Sequence, residues 1–184
     1  IAFVAGVDKR SASLFTHVHA VIAKCFMAHA RPTKLEPPFD IRRDHVLGNP
    51  EAALTLVEYG SYTSPACHAA HEVIADLRDR FGERMRYVYR HRPDDDVGKR
   101  AAELAEYASE TTGDFWPVHD ALMKRGPMFT SDDFEQIASE FSLPPRDQEH
   151  AAVYAAAQTR VQEDVGSAPR SGVIITPTFF INGR

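Results

Sequence analysis

The spacing of apolar residues changes along the chain, and each change marks an element. Ile1–Val7 is a short apolar run that reads as a strand. From Ser11 to His29 the residues Leu14, Phe15, Val18, Ile22, Cys25 and Phe26 recur at helical spacing, with Ser11 or Ser13 as the cap. Arg31-Pro32-Thr33-Lys34-Leu35-Glu36-Pro37-Pro38 breaks the pattern and reads as an extended linker. These signals divide the chain into an N-terminal strand–helix extension with linker, residues 1–43, and a main domain, residues 44–184.

The main domain opens with a strand, Leu54-Thr55-Leu56-Val57-Glu58-Tyr59, ended by Gly60. A helix follows to Phe81. Ser64 suits its N-cap, Pro65 its first helical position and Gly82 the residue past its end. Met85 to Arg90 alternates as a second strand. Helices are expected over Lys99–Glu110, Phe115–Lys124, the stretch after the capping box Thr130-Ser131-Asp132-Asp133, and Asp147–Val165. Thr176-Pro177-Thr178-Phe179-Phe180-Ile181-Asn182-Gly183 reads as a strand running into an Asn-Gly hairpin turn. The order is strand, helix, strand, helical insert at about 97–168, strand, with no internal repeat. This is an α/β chain.

Composition narrows the function classes. Of the 184 residues, 43% are hydrophobic and 26% charged, the profile of a globular protein. Acidic side chains outnumber basic ones, 26 to 21, a net charge of −5, which argues against nucleic acid as a partner. Two cysteines, Cys25 and Cys67, exclude a disulfide-stapled scaffold. No apolar run is long enough for a membrane span; the nearest, Ala12–Ala28, is interrupted by Thr16, His17, His19 and Lys24.

The chemistry centres on Tyr59-Gly60-Ser61-Tyr62-Thr63-Ser64-Pro65-Ala66-Cys67, where a strand delivers the chain to a helix N-terminus. Unpaired N–H groups and the helix dipole favour an anion there, including a thiolate. The residue at that position is Ser64, whose hydroxyl stays protonated and cannot form a mixed disulfide. Cys67 shares a helix face with Ala70, His71, Ile74 and Leu77, so its thiol turns toward the core. The plainer reading makes Ser64 a cap and Cys67 a small buried residue. Glu58 on a central strand is costly to bury unless it is protonated, bonded or functional. His68 and His71 flank Cys67, but a Cys67–His71 pair lacks the further ligands a metal needs, so no metal site is expected. Phe115, Trp116 and His119 read as packing of the insert, Asp94-Asp95-Asp96 as a solvated loop, and Arg90-His91-Arg92-Pro93 as a strand end with exposed charge.

Leu56-Val57-Glu58-Tyr59-Gly60, then Ser64-Pro65-Ala66-Cys67, then Thr176-Pro177 through Asn182-Gly183 resemble a DsbA-like thioredoxin-fold protein with its helical insertion. The stretch from about Asp44 to Arg184 is similar to the thioredoxin-like domain that some bacteria append to Na+/H+ antiporters. The resemblance implies roles position by position. Ser64 takes the place of the nucleophilic Cys of a Cys-Pro-x-Cys motif, and Cys67 that of the resolving Cys, with Pro65 and Ala66 between them. Glu58 matches a buried acid that assists proton transfer. Thr176 and Pro177 match the cis-proline loop, where the residue before the proline pairs with a bound peptide.

Three functions follow as expectations. The first is a thiol–disulfide oxidoreductase family protein, impaired by Ser64 because exchange needs two sulfurs, that still binds a cysteine-containing protein or peptide. The second is a kappa-class-like transferase or isomerase, in which Ser64 donates to a glutathione thiolate; no cofactor other than glutathione is expected. The third is a non-catalytic peptide-binding or regulatory domain of a transporter. The family continues past the Asn-Gly turn with a strand and helix. Ile1–Val7 and Ser11–His29 are expected to supply them, within the chain or by exchange in a homodimer. Sparse cysteine and the antiporter likeness favour the cytoplasmic side, tethered to the inner membrane, with the periplasm as the alternative.

Overall fold

The computed structural model describes residues 34–184. The strand and helix expected over residues 1–29, and the idea that they complete the sheet, lie outside the described residues. The elements are β1 (His45–Gly48), β2 (Leu54–Gly60), α1 (Pro65–Phe81), a 3-10 turn (Gly82–Arg84), β3 (Met85–His91), α2 (Asp96–Thr111), α3 (Phe115–Arg125), α4 (Ser131–Glu140), α5 (Ala151–Ser167) and β4 (Thr178–Ile181). The strands form one sheet in the order β1-β3-β2-β4, with β2 and β3 parallel and the other two pairs antiparallel. This is an α/β thioredoxin-like fold carrying a helical insertion, α2 to α5, between β3 and β4.

Strand periodicity sorts the side chains onto two faces. Leu56 on β2 and Tyr87 and Tyr89 on β3 join Cys67, Ala70 and Ile74 of α1 and the apolar faces of α2 and α3 in the larger core. Val57, Tyr59 and Val88 point the other way and pack with Leu35, Ala168, Val173 and Phe180. Leu35, inside the stretch read as a linker, is 2% exposed, and its N–H donates to the Gly183 carbonyl at 3.1 Å.

Local signals account for the element ends. The Thr130 hydroxyl accepts from Asp133 N–H while the Asp133 carboxylate accepts from Thr130 N–H, a complete capping box for α4. At the end of α1 Gly82 takes φ +50, which other residues adopt at a cost. Asn182 and Gly183 both have positive φ, and Ile181 and Arg184 exchange backbone bonds of 2.7 and 3.1 Å around them, closing the expected hairpin turn.

Four expectations are corrected. Strand β1 was not anticipated: four residues are too few for a period, and the strand stands because it pairs with β3 and Trp116 Nε1 donates to the Val46 carbonyl at 3.1 Å. Arg90 and His91 are 0% and 1% exposed rather than an exposed strand end. Arg90 donates from Nε and Nη2 to the two oxygens of buried Asp44, each at 2.9 Å, which neutralises it where water cannot reach. The acidic run 94–96 is exposed, as expected, but only its first two residues lie outside a helix. Asp95 is the N-cap of α2, accepting from Gly98 N–H at 2.6 Å, so the helix starts at Asp96 and not Lys99. Finally, α5 starts at Ala151, because the Asp147 side chain accepts from the N–H groups of Glu149 and His150 and holds a turn there instead.

Candidate functional site

Strand β2 ends at Gly60, and five residues later the chain is in α1. Gly60 is required by its surroundings: a Cβ there would lie 2.5 Å from Tyr89 Cε2, 2.8 Å from Tyr89 Oη and 2.9 Å from Glu58 Oε1. The residues between β2 and α1 bring Ser64 to the N-cap of α1, where its side chain accepts from Cys67 N–H at 3.4 Å. Such a cap contributes about 1 kcal/mol to the helix. Pro65 and Ala66 are exposed, and Cys67, one turn in, is 0% exposed.

The loop before β4 arrives opposite Ser64. Its Thr176–Pro177 peptide bond is cis. Ser64 Oγ donates to the Thr176 carbonyl at 3.5 Å, and Thr176 Oγ1 donates to Asp94 Oδ2 at 2.7 Å. Thr63 Oγ1 in turn donates to Asp95 at 3.3 Å. The structure therefore brings together Ser64, Cys67, Thr176 and Pro177. It adds Asp94 and Asp95, which the sequence reading missed; their only sequence signal was an acidic residue three positions before Gly98 at a helix start.

Burial dominates the electrostatics. The Cys67 thiol is pushed up to about 12, first by burial and then by the Glu58 charge, despite the Ser61 N–H that reaches its sulfur at 3.4 Å. At neutral pH a thiol with that value is ionised about once in 10^5 molecules. Glu58 lies behind it on β2, 1% exposed, and burial raises its carboxyl to about 7. The Tyr87 hydroxyl donates to Glu58 Oε2 at 2.6 Å and offsets part of this, as Cys67 does more weakly. Glu58 Oε1 closes no hydrogen bond. Burial likewise raises the hydroxyls of Tyr62, Tyr87 and Tyr89 well above their ordinary value. The arrangement sets a buried carboxyl beside a protonated thiol, with Ser64 capping the helix in front of them.

A helix N-terminus facing a cis-proline loop on a β1-β3-β2-β4 sheet defines a thioredoxin-like protein with a DsbA-type helical insertion. Comparison with known proteins agrees. The family model described as Thioredoxin matches residues 41–184, and the chain belongs to that family. A Na(+)/H(+) antiporter NhaA of Nitrosospira multiformis is 48% identical over 158 residues, 83% of this chain and 25% of that protein. The chain thus spans about a quarter of the length of the curated relatives it matches. Among solved structures, a double cysteine-to-alanine variant of Wolbachia pipientis alpha-DsbA1 is 25% identical with a TM-score of 0.65, covering 78% of this chain and 76% of that one. A thioredoxin-like oxidoreductase from Silicibacter pomeroyi is 25% identical with a TM-score of 0.63, covering 85% and 87%. Among the described residues no helix is long and apolar enough to cross a membrane.

Proposed function

We propose that this domain is a DsbA-like thiol–disulfide oxidoreductase module whose exchange chemistry is blocked at Ser64, and that recognition of an extended, cysteine-containing peptide is what it retains. One observation carries the reading: an oxygen, Ser64 Oγ, caps α1 3.5 Å from the Thr176 carbonyl, while Cys67, the thiol that would resolve a mixed disulfide, lies buried behind it. A thiolate at residue 64 would attack a substrate disulfide, form a mixed disulfide and release one substrate thiolate. Cys67 would then displace the second. With oxygen at residue 64 the first bond cannot form. The peptide contact is independent of that sulfur. The backbone of Thr176, next to buried Pro177, would pair with a strand-like ligand, with Ile174, Ile175, Pro65 and Ala66 exposed for further contact. Glu58, held near 7, would take the Cys67 proton in the second step.

Insulin reduction with dithiothreitol as the electron source tests this. The protein as it stands should not exceed the dithiothreitol background, and Ser64→Cys should. A Ser64→Cys protein that forms its dithiol but never exchanges refutes the reading. Calorimetry with glutathione should give no saturable heat, because the Ser64 proton is directed at the Thr176 carbonyl; saturable binding would favour the glutathione-using class instead. The antiporter relatives support a place within a longer transporter chain, and sparse cysteine favours the cytoplasmic side over the periplasmic one. Protease digestion of inverted membrane vesicles, which should cleave the domain, checks the side.

A further inference from the structure

We propose that His71, His119 and Asp120 form a binding site for a zinc-class divalent cation where helix α1 meets helix α3. One ligand atom from each of the three lies within 4.8 Å of the other two. His71 Nε2 and Asp120 Oδ1 are 3.6 Å apart. That is longer than a good hydrogen bond, and close to the about 3.4 Å that separates two ligands held at about 2.1 Å by a tetrahedral ion.

His119 gives the independent reason to expect a ligand. It is 1% exposed, and its Nε2 has no hydrogen-bond partner. An unpaired buried ring nitrogen loses the hydrogen bond it had in water, and a cation would relieve that cost. The other ring nitrogen, Nδ1, is 2.9 Å from the Tyr62 hydroxyl, the kind of outer contact that fixes the ring of a metal-ligating histidine. With Nδ1–H donating to Tyr62, the Nε2 lone pair is left free to bind an ion. Both imidazoles favour the neutral, metal-binding form: burial holds His119 well below its ordinary value, helped by His71, His91 and His45, and burial lowers His71 as well.

Access and donor type agree. The side chains of His71 and Asp120 are 21% and 44% exposed, so an ion can reach them from solvent and keep a water as its fourth ligand. Two imidazoles and one carboxylate suit zinc, not calcium or magnesium, which take oxygen. Lys124 and Arg78 act on His71 and oppose a cation, which moderates the affinity. Among the described residues the other cluster of this kind, His91, Glu106 and Asp164, is fully buried and already used. Glu106 accepts from both His45 and His91, and Asp164 pairs with Arg43 and Arg160.

The test is calorimetric titration of the chelator-treated full chain with zinc, alongside cobalt(II) absorption. The expected result is one ion per chain, with cobalt d–d bands and no sulfur charge-transfer band. The chain has nine histidines, so variants locate the ion. His71→Ala and Asp120→Ala should each weaken binding by more than the roughly 10–100-fold that outer-contact losses cost, and Tyr62→Phe by about ten-fold. His150→Ala, outside the cluster, should leave it unchanged. His71 and Asp120 are not buried, so their variants keep the fold. Absence of saturable zinc binding, unchanged affinity in the His71→Ala/Asp120→Ala double variant, or a sulfur charge-transfer band overturns the assignment.

Discussion

Glu58→Gln should remove a pH-dependent weakness from the fold. Burial raises the Glu58 carboxyl from 4.5 to about 7. The folded chain therefore keeps this proton up to about 7, while the unfolded chain releases it near 4.5. Between those values the unfolded state binds fewer protons, so stability falls as pH rises through the window and levels off above it. The gap, 7 − 4.5 = 2.5 pH units, corresponds to roughly 3 kcal/mol at about 1.36 kcal/mol per unit. Glutamine has no proton to lose and still accepts from the Tyr87 hydroxyl. Urea unfolding of both proteins at about pH 4 and about pH 8 measures the effect, since subtracting the two cancels every other titrating group. The variant should gain roughly 3 kcal/mol relative to the parent between the two conditions. Parallel stability profiles would show that the carboxyl does not hold its proton in the fold.

Two further outcomes follow from close contacts. Asp44→Asn should cost about 3–5 kcal/mol, because it leaves the fully buried Arg90 guanidinium without its counter-charge; an Arg90→Met/Asp44→Asn double variant should recover most of that in the same urea assay. Gly60→Ala should destabilise by about 1–3 kcal/mol, since its Cβ meets the Tyr89 ring at 2.5 Å, and thermal unfolding reads the loss.

The parts of the fold legible in the sequence are those whose cause lies within a few residues. Ser64, Pro65 and Gly82 mark the ends of α1, Thr130 and Asp133 cap α4, and Asn182-Gly183 makes the final turn, each through a contact closed locally. The alternation read over Met85–Arg90 likewise reflects a pleat independent of distant partners. What could not be read depends on residues far apart in the chain. Arg90 and His91 look like surface charge until Asp44, 46 residues away from Arg90, and Glu106 are placed beside them. Asp94 reads as loop until Thr176, 82 residues on, donates to it. Cys67 and His71 suggested an incomplete ligand pair. The residues that stand near His71, His119 and Asp120, belong to α3, and no spacing rule joins two helices. Ser64, Cys67, Thr176 and Pro177 are the exception. Their juxtaposition also spans more than a hundred residues, and it was readable only through the family's motif.

The Arg90 guanidinium makes one more connection. Besides holding Asp44, it donates to the carbonyls of Pro37 and Pro38 at 2.9 and 3.2 Å. A single side chain on β3 thus moors the segment through which the polypeptide enters the sheet. Residues 37–44 and the centre of the sheet then behave as one cooperative unit: amide protons around Asp44 should exchange with solvent only when the strands themselves open, and not through the easy fraying usual for a segment that leads into a domain.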